Sequence, residues 1–257
     1  MQKPTLVILA AGEGRRLRPY TEDRPKCMVE FRNKPMLEWT LRGLWECEIS
    51  PESVRVVGGY QNQVMKPLLE AHQVNNLIIN QDYLTTNMVY SLSLALDGLE
   101  DVIICYSDIV WETDILKKLL QSSGEISVVI DKEWLRLWSA RMENPLFDAE
   151  TLKIGSDGRI VEIGKKPLNL SEITGQYIGM LRIHGHSLRL LKELLICLKR
   201  DQETMFCKMF LTDLLQKLID LGLRVEPVFI EGGWVEIDSV EDLNRLSGFA
   251  GLKRGLK

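Results

Sequence analysis

The sequence predicts an α/β fold, a mostly parallel mixed sheet with helices on both faces. Three observations carry that prediction. Short β-branched and apolar runs alternate with segments of helical spacing through the first half of the chain, the pattern of strand–helix–strand units that build parallel sheets. Several runs, such as "TLVILA" and "EISVVID", are apolar nearly throughout rather than alternating, as strands covered on both faces are. The 257 residues are 45% hydrophobic and 26% charged, an ordinary globular balance in a chain long enough to bury a sizeable core without staples.

Taken in order, "TLVILA" is a strand that runs into a glycine-rich loop. "PMLEWTLRGLWECEI" carries Leu37, Leu41, Leu44 and Trp45 at helical spacing. "SVRVVGGY" is a strand ending in glycines, "QVMKPLLEAH" a helix despite Pro67, "NLIIN" a strand and "NMVYSLSLALDGL" a helix. "DVIICYSDIV" reads as one apolar strand ending in an acid, "DILKKLLQSS" as a helix and "EISVVID" as a strand. The second half is more mixed. "EWLRLWSARM" is helical; "GRIVEIGKK" and "GQYIGMLRI" are strands; "SLRLLKELLICLKR" and "FLTDLLQKLIDLG" are amphipathic helices. "RVEPVFIEGGWVEID" supplies further strands, and "SVEDLNRLSG" a last helix with Ser239 as N-cap. No repeat or low-complexity linker interrupts the chain. The expectation is one domain, 1–257, with a core of about 1–130 and 221–257 and a lid-like insertion around 131–220.

Charge and composition exclude several classes. A net charge of -4 with no polybasic run argues against a nucleic-acid partner. No apolar run approaches the ~20 residues that span a bilayer, and the first apolar segment is too short, and too soon followed by glycines, for a secretion signal. Cys27, Cys47, Cys105, Cys197 and Cys207 are odd in number and lack a C-x-x-C, so reduced thiols in the cytoplasm are expected. His72, His184 and His186 do not combine with them at zinc-ligand spacing.

The loop "LAAGEGRRLRPYTEDRPK" follows the first strand. Ligands of open α/β sheets lie beyond the carboxyl ends of the strands. Glycines let the backbone approach an anion, and exposed N–H groups can bind its oxygens. Arg15, Arg16, Arg18 and Lys26 add positive charge. A polyphosphate loop and a solvated strand-to-helix turn both fit. The third glycine of the dinucleotide fingerprint and the G-K-[ST] of a P-loop are missing.

With G-x-G-x-R-L followed by P-x-T and P-K, the loop resembles the signature of the nucleotidyltransferases that make nucleoside diphosphate sugars and related activated headgroups. The resemblance implies a Rossmann-like nucleotidyltransferase fold. It makes Arg16 and Lys26 catalytic and lays Leu9, Ala10, Ala11, Gly12, Glu13, Gly14 and Arg15 along the nucleotide. "YSDIV" and "GGWVEIDSVEDL" match the family's two metal positions, which implies Mg2+ on Asp108 and Asp238 with Glu236 nearby. A turn residue for Asp108 and an ordinary helix start for Asp238 stay open. Gly58, Gly59 and Tyr60 fall where base and ribose lie, Ser107 precedes Asp108, and Asn87 either caps its helix or touches nucleotide or acceptor, the two not excluding each other.

The segments "VVGGYQNQ", "TTNMVYSL", "DKEWLRLWSARMENPLFDAETLKI", "EIGKKP" and "EITGQYIGML" are similar to a cytidylyltransferase branch acting on small phosphates and phosphonates. Its acceptors include glutamine phosphate in capsule pathways, favoured here, then aminoethylphosphonate and phosphocholine. The implied partners are CTP and a small phosphorylated acceptor, with no nucleic acid and no membrane, and a homodimer is compatible. In the implied reaction an acceptor oxygen attacks the α-phosphorus of CTP in line and pyrophosphate leaves. Trp134 and Trp138, four apart on one helix face, are either core or an aromatic wall facing an acceptor ammonium. Asp148 and Glu150 would pair with that ammonium or stay solvated. Lys166 would hold the acceptor phosphate or form a surface pair with Lys165, and Gln176 completes the expected acceptor set. Two other readings remain: a sugar-1-phosphate enzyme using UTP, dTTP or GTP, and a catalytically silent nucleotide-sensing subunit.

Overall fold

In the computed structural model, which describes residues 3–252, strand β1 (Thr5–Ala10) opens the sheet. Two-residue strands β2 (Glu30–Phe31) and β3 (Lys34–Pro35) form a small antiparallel pair ahead of helix α1 (Met36–Glu46). There follow β4 (Val54–Gly58), α2 (Lys66–Ala71), β5 (Asn76–Ile79) and α3 (Met88–Ser93). Pro67 is tolerated because it lies in the first turn of α2, where its missing N–H breaks no helical bond. Next come β6 (Asp101–Tyr106), β7 (Ile109–Trp111), α4 (Thr113–Leu120), β8 (Ile126–Asp131) and α5 (Trp134–Arg141). The chain continues through the hairpin β9 (Leu152–Ile154) and β10 (Ile160–Ile163) to β11 (Gln176–His184), α6 (Gly185–Asp201), α7 (Glu203–Lys208) and α8 (Leu211–Asp220). It closes with β12 (Val225–Ile230), β13 (Trp234–Glu236) and α9 (Val240–Leu246).

Seven strands form the main sheet in the order β12-β8-β11-β6-β1-β4-β5. Neighbours are parallel except β11, which is antiparallel to both β6 and β8. Side chains of β1 alternate between two cores. Leu6 and Ile8 join α1, α4 and α5 on one face, and Val7 and Leu9 join α3, α6 and α8 on the other, as the two-residue period of a strand requires. The strand order reverses at β1, between β6 and β4, and such a switch point leaves a crevice at the carboxyl edge.

Three expectations need correction. "DVIICYSDIV" is two strands, not one: the chain leaves the sheet at Ser107 and Asp108, and β7 pairs antiparallel with β13. Helix α3 stops at Ser93, and Gly98, with φ 71°, lies in the turn beyond it. The lid does not run to 220. β11 is an inner strand of the main sheet, and α6 and α8 bury their leucines against that sheet. The apolar periodicity of these elements serves the core, whichever stretch of sequence they come from.

Candidate active site

The loop after β1 is shaped by Gly14, whose φ of 62° brings its open side against Lys26. A Cβ there would lie 2.9 Å from Lys26 Cβ and 3.2 Å from Thr21 Cγ2, so glycine lets the lysine stem pass. The Thr21 hydroxyl donates to Gly14 O at 2.8 Å, and the Tyr60 hydroxyl donates to Thr21 O at 3.1 Å and Glu22 O at 2.7 Å. These bonds fold the loop back over the sheet edge. Lys26 Nζ then donates to Asp108 Oδ2 at 2.6 Å and to Asp238 Oδ1, while Arg16 Nη2 donates to Asp238 Oδ2 at 2.9 Å. Arg15 and Arg18 face Glu13 instead.

The β7–β13 ribbon joins the acids. Ile237 N donates to Asp108 O at 3.0 Å, and one oxygen each of Asp108, Glu236 and Asp238 lie within 4.8 Å of one another. Asp108 Oδ1 is buried without a partner. Burial works against the Lys26 ammonium, yet Asp108 and Asp238 hold its pKa above the ordinary lysine value. Burial, then the Asp238 carboxylate, pushes Glu236 up; Asp238 is also buried, but Lys26, then Arg16 and Arg141, hold it low. Three convergent carboxylates with one orphaned oxygen, and no sulfur or imidazole, suit a hard divalent cation such as Mg2+.

A cleft of about 430 Å³ opens beside these groups, within the range of small-molecule sites. Of the residues named from the sequence, Leu9, Ala11, Gly12, Gly14, Arg15, Arg16, Lys26, Asn87, Ser107, Asp108, Glu236 and Asp238 line it. Ala10, Glu13, Gly58, Gly59 and Tyr60 do not line it. Gly59 instead lets the backbone near Ala11 meet Tyr83: a Cβ on it would sit 2.7 Å from Ala11 O. Asn87 caps α3, its side chain accepting from Met88 N at 2.8 Å, and it also lines the cleft. Asn80, Tyr83, Thr86, Met88, Ser91 and Tyr106 line it unannounced by the sequence reading. A hint was present in Asn80, a polar residue closing the apolar run "NLII". It is buried, donates to Thr86 Oγ1 and Ser91 Oγ at 3.0 Å each, and accepts from Asp82 N at 2.9 Å.

The acceptor set is not gathered in the cleft. Trp134 and Trp138 are core residues, which corrects the aromatic-wall reading. Their rings meet edge-on at 5.9 Å, and Trp138 packs on Trp234 at 5.9 Å, because the shared helix face points at the β7–β13 side of the core. Gln176 is buried and accepts from Glu150 N at 3.0 Å, so it pins backbone. Lys166 Nζ donates to Phe147 O, and Asp148 lies 3.6 Å from Arg141. Burial, then the Asp213 and Asp148 carboxylates, raises Glu150 to about 7. Glu150 in turn adds to burial in holding the cleft residue Tyr106 well above its ordinary value.

A family model described as a MobA-like NTP transferase domain matches residues 6–210. CTP:phosphoglutamine cytidylyltransferase of Campylobacter jejuni is 40% identical over 247 residues, covering 92% of this chain and 96% of that protein. Choline-phosphate cytidylyltransferase of Haemophilus influenzae is 27% identical over 73% of each chain. In fold, the chain is similar to CTP:phosphocholine cytidylyltransferase from Streptococcus pneumoniae, with a TM-score of 0.75 at 22% identity over 96% of this chain and 98% of that one.

Proposed function

Because the chain belongs to the MobA-like NTP transferase family and is a nucleotidyltransferase, we propose that it transfers the cytidylyl group of CTP to a small phosphorylated metabolite, glutamine phosphate first, then aminoethylphosphonate or phosphocholine. The observation that carries the proposal is the meeting of Arg16 and Lys26 with Asp108 and Asp238 at the mouth of the cleft. These four come from three remote segments, each placed at the carboxyl edge. The 40% identity to a phosphoglutamine cytidylyltransferase supports the base and the acceptor.

The acceptor phosphate is already an anion near neutral pH, so the chain needs no strong base. Its task is to bring several negative groups together, and positioning with charge neutralisation dominates such chemistry. Arg16 and Lys26 would hold the triphosphate and stabilise charge developing on the pyrophosphate. Asp108, Glu236 and Asp238 would hold a magnesium ion, which would supply further charge neutralisation. On the acceptor side, Asp148 and Glu150 would pair with an acceptor ammonium and Lys166 would hold the acceptor phosphate; the charges of Asp148, Asp213 and Lys166 all act on Glu150, and Glu150 acts on the cleft residue Tyr106. The proposal places the enzyme in the cytoplasm, in a capsule-type pathway. All five cysteines are free, and no helix among the described residues is long and apolar enough to cross a membrane.

The test is a panel of CTP, UTP, dTTP and GTP against phosphorylated metabolites with magnesium, read by phosphorus NMR. Preferred turnover of CTP with glutamine phosphate is expected. Preferred turnover of glucose-1-phosphate overturns the acceptor assignment; no turnover with any pair overturns the catalytic one.

A further inference from the structure

Helix α5 delivers one side chain to the acid cluster, and it is Arg141 rather than a tryptophan. Only 2% of that side chain is exposed. Nε donates to Asp242 Oδ1 at 3.0 Å and Nη1 donates to Glu236 Oε2. Nη2 lies 3.6 Å from Asp238 Oδ2. The guanidinium carbon sits 5.1 Å from the centroid of the Trp138 ring, so that buried indole serves as its platform. Asp242, in turn, accepts from Asp238 N and Ser239 N at 3.0 Å each.

Arg16 and Lys26 also neutralise the cluster, but they differ in kind. Arg16 is 65% exposed, and both arise from the loop that borders the cleft. Arg141 is absent from the cleft lining and has no free face for a phosphate. Its planar fork, which a lysine cannot copy, is spent on acids. We infer that Arg141 is the positioning residue of the carboxylate cluster, orienting Glu236 directly and Asp238 through Asp242, so that the two acids face a divalent cation together with Asp108. The inference rests on the metal-dependent nucleotidyltransferase reading. Groups that orient metal-holding carboxylates are worth about 10–100-fold in metal affinity or activity.

Arg141 also ties α5 to α9, through its Nε–Asp242 bond and through Arg245 Nη1, which donates to the Arg141 carbonyl at 2.8 Å; side-chain replacement keeps only the second, so a merely structural role would show as a lowered melt with unchanged Mn2+ affinity of the folded protein. The experiment compares wild type, Arg141→Lys and Arg141→Gln, each checked by thermal melt. Binding of Mn2+ is followed by electron paramagnetic resonance with protein in excess over CTP and no acceptor present. CTP affinity is measured separately in EDTA. In Arg141→Lys the expected result is Mn2+ binding weakened by about 10-fold or more, kcat lowered in step, and metal-free CTP affinity within about threefold of wild type. If Arg141→Gln does not fold, Arg141→Lys decides. Folded Arg141→Lys with wild-type Mn2+ binding overturns this role alone, and so does parallel loss of Mn2+ and metal-free CTP binding. Wild type that binds no Mn2+ overturns the metal site and this role together.

Discussion

Replacing Lys26 by methionine keeps the length of the side chain and removes its ammonium. In the structure that ammonium sits between Asp108 and Asp238, with the three side chains 14%, 19% and 13% exposed. Breaking a buried ion pair from one side costs about 3–5 kcal/mol, because the remaining charge is left unpaired. Partial exposure, together with the Arg16 and Arg141 contacts that Asp238 keeps, favours the lower end, about 3 kcal/mol. For a domain of this size each kcal/mol moves the melting temperature by about 2–4 °C, so a drop of roughly 6–12 °C is expected in EDTA. Magnesium should restore much of it. A cation can take the place of the lost ammonium, and a ligand at about 100 times its Kd adds about 2.7 kcal/mol. In wild type the lysine already occupies the acids, so magnesium alone should stabilise it less. Calorimetric melts of both proteins, in EDTA and in magnesium, decide the matter. Equal melting temperatures in EDTA would refute the buried-pair argument, and equal gains from magnesium would refute the idea that lysine and metal share the same oxygens.

Asp108→Asn should lower the melting temperature less than Lys26→Met does, because Lys26 keeps Asp238, and should lower turnover by about 10²–10³-fold, the scale of losing one electrostatic contact to a transition state; near-normal activity of the folded variant would remove Asp108 from the site. Arg15→Ala should change kcat/KM by less than about fivefold, because Arg15 is 69% exposed and pairs with Glu13 in a contact of the kind that contributes at most about 1 kcal/mol. Lys26→Ala should lose about 100-fold or more, and the reverse order in steady-state kinetics means that the loop register is wrong. Glu150 binds its proton more tightly folded than unfolded, so the stability it contributes is present at low pH and lost as pH rises from about 4.5 towards about 7. Glu150→Gln should therefore flatten the fall in melting temperature across that window, with Asp148, Asp213 and Lys166 still in place; parallel pH curves for the two proteins would show that Glu150 is not held neutral.

What could be read from the sequence was local. Alternation of apolar strands with helical spacing identified the sheet, because periods of two and of about three and a half are properties of a few consecutive residues. Ser239 was legible as a cap because its partner, Asp242, is three residues away. Arg16, Lys26, Asp108 and Asp238 were legible because each stands in a short motif, and three of the four close or follow an apolar run. The Trp134–Trp138 pair shows where such reading stops. Spacing put both rings on one helix face, and they do meet, but spacing says nothing of what that face packs against. Arg141, at the end of the same helix, looked like any basic residue near a helix C-terminus. Its partners lie 95 and 101 residues away, and Arg16 reaches across 222 residues to Asp238. Consecutive residues set the periodicities and the caps, whereas the space that Gly14 leaves for Lys26 shows only in the fold. The tertiary structure alone decided that β11 runs against its neighbours, that the tryptophans face inward, and that three acids and three bases meet at one edge. Those outcomes depend on the summed burial and hydrogen bonding of segments far apart in the chain, and no short window of sequence contains that sum.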